Sequence, residues 1–153
     1  MVTGHIMKRP ESFTRWLFII TALIGLVDSL YLIWIKIANN KVYCLPGLGD
    51  CWTVNTSPYS QVFGIPVAVF GAIGFFLILL VALFGDRSNF VHNNQATLLF
   101  GLTLAGFLYS VYLTYLELFV INAVCPFCVL SALAMTVLFV LSVVRLVKNQ
   151  AEY

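Results

Sequence analysis

Four apolar stretches constrain this chain more than anything else in it. Trp16 to Ile37, Phe63 to Phe84, Thr97 to Ile121 and Cys125 to Val147 each approach the roughly 20 residues needed to cross a hydrocarbon core about 30 Å thick. Together they take up most of the 153 residues. Composition agrees, with 61% hydrophobic and 9% charged residues, against about 45–50% and about 25% in soluble domains. The sequence therefore predicts an all-α integral membrane protein. Its four transmembrane helices form one bundle over 13–148, with short cytoplasmic tails at 1–12 and 149–153. No room remains for a separate soluble catalytic domain. The first stretch is too long for a cleaved signal peptide and lacks a small-residue cleavage pattern. There is no internal repeat and no low-complexity tract.

The basic residues orient the bundle. Lys8, Arg9 and Arg15 precede the first span, Arg87 lies between the second and third, and Arg145 and Lys148 close the fourth. Only Lys36 and Lys41 fall on the opposite side. That asymmetry predicts both termini in the cytoplasm of a cell inner (plasma) membrane. The loop from Ala38 to Val62 and the turn at Asn122 to Val124 then face outward, periplasmic or extracellular in a bacterium. Within the loop, Thr53 to Ser60 has room for a short helix lying on the membrane, limited by Pro58. A net charge of +2, placed where topology explains it, gives no reason to expect nucleic acid. Membrane lipid is the expected surrounding.

All four cysteines, Cys44, Cys51, Cys125 and Cys128, fall on the outward side of this topology. Disulfides persist in that oxidising compartment. Four cysteines allow three pairings, and spacing favours Cys44 with Cys51 and Cys125 with Cys128. The second pair stands in Cys125-Pro-Phe-Cys128. Pro126 suits the first turn of a helix, where its missing N–H costs nothing. Cys125 then sits at or beside the N-cap and Cys128 about one turn in. The unpaired N–H groups and partial positive charge of a helix start stabilise a thiolate, and the thiolate is the form that attacks disulfides and electrophiles. A Cys-x-x-Cys so placed is a candidate redox pair, set where a lipid-soluble electron carrier can reach it. The alternatives are a structural bridge and half of a zinc site. Zinc usually takes four ligands, and His5 and His92 lie on the other side, so no metal is expected. Cys44 with Cys51 could be a staple ordering a Gly-rich loop. Beside a redox pair, the two dithiols instead form a relay.

These residues resemble the bacterial vitamin K epoxide reductase homologues. Gly25-Leu-Val-Asp-Ser-Leu-Tyr-Leu32 with Lys36 is similar to that family's first span. Cys44 to Cys51-Trp-Thr-Val-Asn-Thr-Ser57 is similar to its loop cysteine pair and the following serine, and Phe63-Gly-Ile-Pro-Val-Ala68 to the start of its second span. Tyr115-Leu-Glu followed by Cys125-Pro-Phe-Cys-Val-Leu-Ser131 is similar to its third span and redox motif. The resemblance implies a four-helix bundle around a quinone pocket. It implies electron flow from a reduced thioredoxin-fold (DsbA-like) periplasmic or extracellular protein to a membrane quinone, ubiquinone or menaquinone, in support of disulfide formation in exported proteins. Carried over, Cys44 exchanges with the partner, Cys51 bridges transiently to Cys125, and Cys128 reacts with the quinone. Ser57, Phe63, Tyr115 and Cys128 become candidate quinone contacts. Many bacterial members carry a fused thioredoxin-like domain. The chain ends at Tyr153, so the partner is expected to be a separate protein. No flavin, haem or metal motif is present.

Other readings stand beside this one. Reduction of a quinone epoxide, as in the animal relatives, is a close alternative. A small membrane transporter or scaffold whose cysteines are staples is a rival of another class, but only Asp28 is clearly charged at depth. Asp28 is either a proton route or a bundle-packing acid. Glu117 reads as a snorkelling or interhelical polar contact, and Asp50 as a solvated turn charge. Ser57 either bonds a quinone oxygen or positions the loop. Tyr31, Tyr109, Tyr112 and Tyr115 either line a quinone pocket or are interfacial and packing aromatics, and Gly71, Gly74, Gly101, Ala105 and Gly106 read as close helix contacts.

Overall fold

The computed structural model describes residues 8–38, 51–85 and 87–151. Cys44 and Asp50 lie outside the described residues. The chain order is α1 (Lys8–Ala38), α2 (Cys51–Thr56), a 3₁₀ turn (Pro58–Ser60), a minimal hairpin of β1 (Gln61–Val62) and β2 (Ile65–Pro66), then α3 (Val67–Phe84), α4 (Asn89–Tyr115), a π-helical segment (Leu116–Ile121) and α5 (Pro126–Ala151). Four stretches are long and apolar enough to cross a membrane: Ser12–Ala38, Val67–Phe84, His92–Ile121 and Pro126–Ala151. The expected all-α membrane bundle is therefore present.

Each long helix packs against two others, α1 on α3 and α5, and α4 on α3 and α5, so the four close into a ring. Phe18 and Ala22 from α1, Phe75, Ile78, Leu79 and Ala82 from α3, Leu99 from α4, and Ala134, Met135 and Leu138 from α5 form the main core. Side chains facing outward stay apolar, as a lipid-facing surface requires. Polar pairing ties the helices where lipid offers no partner: Thr103 and Ser142 meet at 2.7 Å between α4 and α5. At the end that carries both termini, Arg145 Nη2 donates to Gln95 Oε1 at 2.9 Å, and Gln95 Nε2 donates to the Val81 carbonyl at 2.8 Å. Arg15 Nη2 donates to the Leu83 carbonyl at 3.1 Å. These bonds gather all four helices around the basic residues of that end.

The second span begins at Val67 rather than at Phe63. Phe63 and Gly64 have positive φ, 53° and 80°, and form the two-residue tip that joins β1 to β2. A tip with both φ values positive matches the twist of a tight hairpin. Pro66 caps α3 instead of lying inside it. The short helix expected over Thr53 to Ser60 is present in two pieces, α2 and the 3₁₀ turn, parted at Ser57.

Candidate functional site

The site is built where α4 gives way to α5. Over Leu116–Ile121 the helix widens to π geometry, a form that recurs at functional sites. Asn122 then takes the left-handed conformation (φ 53°, ψ 33°) that ends it, and the Ala123 N–H returns to the Glu117 carbonyl at 3.2 Å. The chain reverses, and α5 starts at Pro126. Cys125 accepts the first-turn bond from the Val129 N–H at 3.1 Å. It is therefore the capping residue, with Cys128 one turn in, as the Cys-Pro-x-Cys pattern predicts.

Both cysteines are free thiols. Cys125 is wholly buried, with 0% exposure, in an apolar cluster with Leu32 of α1 and Val54 of α2. Cys128 is half-buried. A hydrogen bond from the Cys128 thiol holds the Cys125 thiol below the ordinary thiol range; burial opposes this, and the N–H groups of Cys128 and Phe127 reinforce it. Negative charge on the reduced pair therefore favours the buried sulfur at the helix start.

Glu117 is the residue that sequence reasoning missed. It is 6% exposed, and its carboxyl lies beside the Cys128 thiol and the Cys125 backbone N–H at the start of α5. It is neither snorkelling nor a plain interhelical contact. A signal was available: Glu117 continues the stripe of Gly106, Ser110 and Leu113 along one face of α4 at helical spacing, and all four line the same cavity.

That cavity lies inside the ring of helices and has a volume of about 150 Å³. An apolar cavity of about that size takes a benzene ring. Its walls are mostly apolar, among them Leu32, Ala68, Phe75 and Met135, with Cys128, Glu117, Ser131 and Tyr109 as inward polar groups. Behind Ser131, whose Oγ donates to Asp28 Oδ2, the Asp28 carboxyl is 5% exposed, and its Oδ1 has no hydrogen-bond partner among the described residues. Asp28 is thus an interior acid adjoining the cavity, not an outward-facing one.

The loop after α2 covers the cavity. Lys36 Nζ donates to the Asn55 carbonyl at 3.0 Å and to Ser60 Oγ at 2.8 Å. Ser57 lines the cavity while its Oγ donates to the Val54 carbonyl at 2.9 Å. Cys51 opens α2.

Two candidate contacts lie elsewhere. Phe63 is 100% exposed at the hairpin tip, because the tip turns away from the bundle before α3 begins. Tyr115 is 55% exposed and packs on Phe119 at 5.1 Å, on the outer side of α4. Neither lines the cavity. Among the tyrosines, Tyr59 and Tyr109 do, and Tyr31 packs on Phe127 at 4.9 Å beside the cysteine pair. Gly71, Gly74 and Gly106 line the cavity too, so their smallness gives it space. A methyl group on Gly106 would meet Met135 at 2.7 Å. Among the described residues no cluster of His, Cys, Asp and Glu is arranged to hold a metal ion.

Comparison with known proteins adds two findings. The model of the vitamin K epoxide reductase family matches residues 16–143. The thiol-disulfide oxidoreductase LTO1 of Arabidopsis thaliana is 33% identical over 123 residues, covering 77% of this chain and 33% of that protein. The chain thus spans about a third of the length of the curated relative it matches.

Proposed function

Because this multi-pass membrane chain belongs to the vitamin K epoxide reductase family, we propose that it is a thiol:quinone oxidoreductase. It takes two electrons from a reduced thioredoxin-fold protein and passes them to a membrane quinone, ubiquinone or menaquinone, supporting disulfide formation in exported proteins. The observation that carries this reading is the position of Cys128: a free thiol at the start of α5, on the wall of a mostly apolar cavity of about 150 Å³. The name of the Arabidopsis relative, a thiol-disulfide oxidoreductase, supports the same chemistry.

In this account residues 13–148 form one functional unit in the inner (plasma) membrane. Both termini are cytoplasmic and the cysteines extracytoplasmic. Cys44 exchanges with the donor protein, Cys51 passes the electrons to Cys125, and Cys128 delivers them to the quinone. The shared apolar cluster of Val54 and Cys125 keeps the helix that begins at Cys51 close to the buried member of the pair. Ring closure between the two thiols of Cys125 and Cys128 releases two electrons and two protons, the amount that converts a quinone to a quinol. The apolar walls select a planar, lipid-soluble acceptor, and the tethered loop excludes water from it.

The test of the relay is a comparison of electron donors. Purified Cys44→Ala protein is expected to lose nearly all quinone reduction driven by a reduced thioredoxin-fold protein. It keeps most of the reduction driven by a small membrane-permeant dithiol, which bypasses the loop. Equal loss with both donors would contradict the shuttle role of Cys44, and equal activity with both would remove it from the relay.

A further inference from the structure

Quinone reduction by a dithiol leaves a proton problem at Cys128. In its thiol form the sulfur that lines the cavity still carries its proton, and it lies beside both Cys125 and Glu117. A thiol is a poor nucleophile until that proton leaves. Cys125 is an unsuitable final acceptor, because its sulfur must itself be free to close the disulfide. The Glu117 carboxylate is the other group in contact. It is buried, it is held in place by the Cys125 N–H, and it opens onto the cavity where the acceptor would lie. Its position one turn before the left-handed Asn122 fixes it to the same rigid reversal that fixes Cys125.

We propose that Glu117 is a catalytic proton carrier: it takes the proton from the Cys128 thiol as the sulfur reacts and hands it to the reduced acceptor in the cavity. The proposal deepens the quinone reading and rests on it for the second half of the transfer. In the full step the Cys128 S–H bond breaks, Cys125 enters as a thiolate whose proton has already left, and one S–S bond forms between Cys125 and Cys128. Two electrons move to the quinone, which becomes the quinol. One quinol proton is the one that Glu117 carried, the other is taken up from the medium in place of the one that Cys125 gave up on becoming a thiolate, and Glu117 returns to its carboxylate form. The other titratable groups around the cavity are Cys125 on α5, Tyr109 on α4, Asp28 behind Ser131 and Lys36 on α1, and Tyr59 in the covering loop. Among the described residues, Cys125 and Glu117 are the titratable groups that act on the Cys128 thiol.

The experiment isolates the first half of the transfer from the quinone. In protein whose only cysteine is Cys128, with Cys44, Cys51 and Cys125 changed to alanine, the thiol reacts with a small aromatic disulfide in detergent micelles across a range of pH. Glu117→Gln keeps the shape and the hydrogen bonds but cannot accept a proton. It is expected to slow this reaction at neutral pH by about a hundredfold, the low end of what a placed general base contributes. The two proteins should converge at alkaline pH, where hydroxide ionises the thiol unaided. Glu117→Asp should recover part of the rate. An unchanged or faster reaction in Glu117→Gln, or an equal slowing at every pH, overturns the proposal. Quinone reduction by the four-cysteine protein is measured in parallel. If it is absent, the quinone reading fails by itself, and the alkaline convergence still decides whether Glu117 takes the Cys128 proton.

Discussion

Replacing Cys128 with alanine is expected to lower dithiol-driven quinone reduction by roughly three orders of magnitude or more, as loss of a reacting nucleophile does elsewhere. The expectation follows from position: Cys128 is the cysteine on the cavity wall, and Cys125 is wholly buried behind it. Cys125→Ala should lose turnover just as completely, for a different reason. It leaves a sulfur that can meet the acceptor but no partner to close the disulfide and release the electrons. The two variants should therefore differ in what accumulates. Cys125→Ala can retain acceptor-linked Cys128, whereas Cys128→Ala retains nothing at the cavity. Neither change should unfold the bundle. The main core around Phe18, Phe75 and Leu138 is separate from the cluster that contains Cys125. Near-normal thermal unfolding with absent turnover is the expected combination. Loss of the fold together with the activity would point to a staple.

The largest expected effect on stability lies at Gly25, far from the thiols. A methyl group there would fall 2.3 Å from the Phe75 ring of α3, well inside any tolerated contact. Phe75 is fully buried in the main core and cannot swing aside without displacing its neighbours. Gly25→Leu should therefore force α1 and α3 apart and cost at least the ~1–3 kcal/mol typical of overpacking. Gly101→Ala provides the contrast, since nothing lies within 4 Å of the added methyl. It should leave stability unchanged or slightly raised, because alanine is the better helix former. Thermal unfolding of both proteins in the same detergent reads the difference. Equal stability would show that α1 and α3 are not packed through Gly25.

These two sites also mark how much the sequence disclosed. The spans were legible because a bilayer demands about 20 apolar residues and little else competes for that pattern. The start of α5 was legible because Pro126 fixes a first turn and so places Cys125 at the cap and Cys128 inside. Phe63 was misplaced for a local reason. Phe-Gly lacks the polar residue that usually announces a tight hairpin, and strands of two residues carry no periodicity. An apolar hairpin next to an apolar helix therefore reads as one longer span. The resemblance made Tyr115 a candidate, but helical rotation puts Tyr115 on the exposed side against Phe119 while Glu117 lines the cavity. Glu117 and Gln95 were hidden by the opposite effect. Both are single polar residues near span ends, where solvated side chains are common, and only the fold shows Glu117 against the cysteine pair and Gln95 between Arg145 and α3. The membrane-facing aromatic background adds to this. With 15% Phe, Trp and Tyr, aromatic identity by itself selects no cavity.

The central claim is that Cys125 and Cys128 by themselves convert a quinone to a quinol. It is tested most directly in a single turnover, without partner or loop cysteines. Protein carrying Cys44→Ala and Cys51→Ala is reduced, freed of excess dithiol, and mixed anaerobically with a water-soluble quinone in detergent. Quinol and the Cys125–Cys128 disulfide are then both counted. The account predicts equal amounts of the two, with one quinol for each disulfide formed, and none when Cys128 is also replaced. Disulfide without quinol, or quinol formed equally well without Cys128, would contradict it.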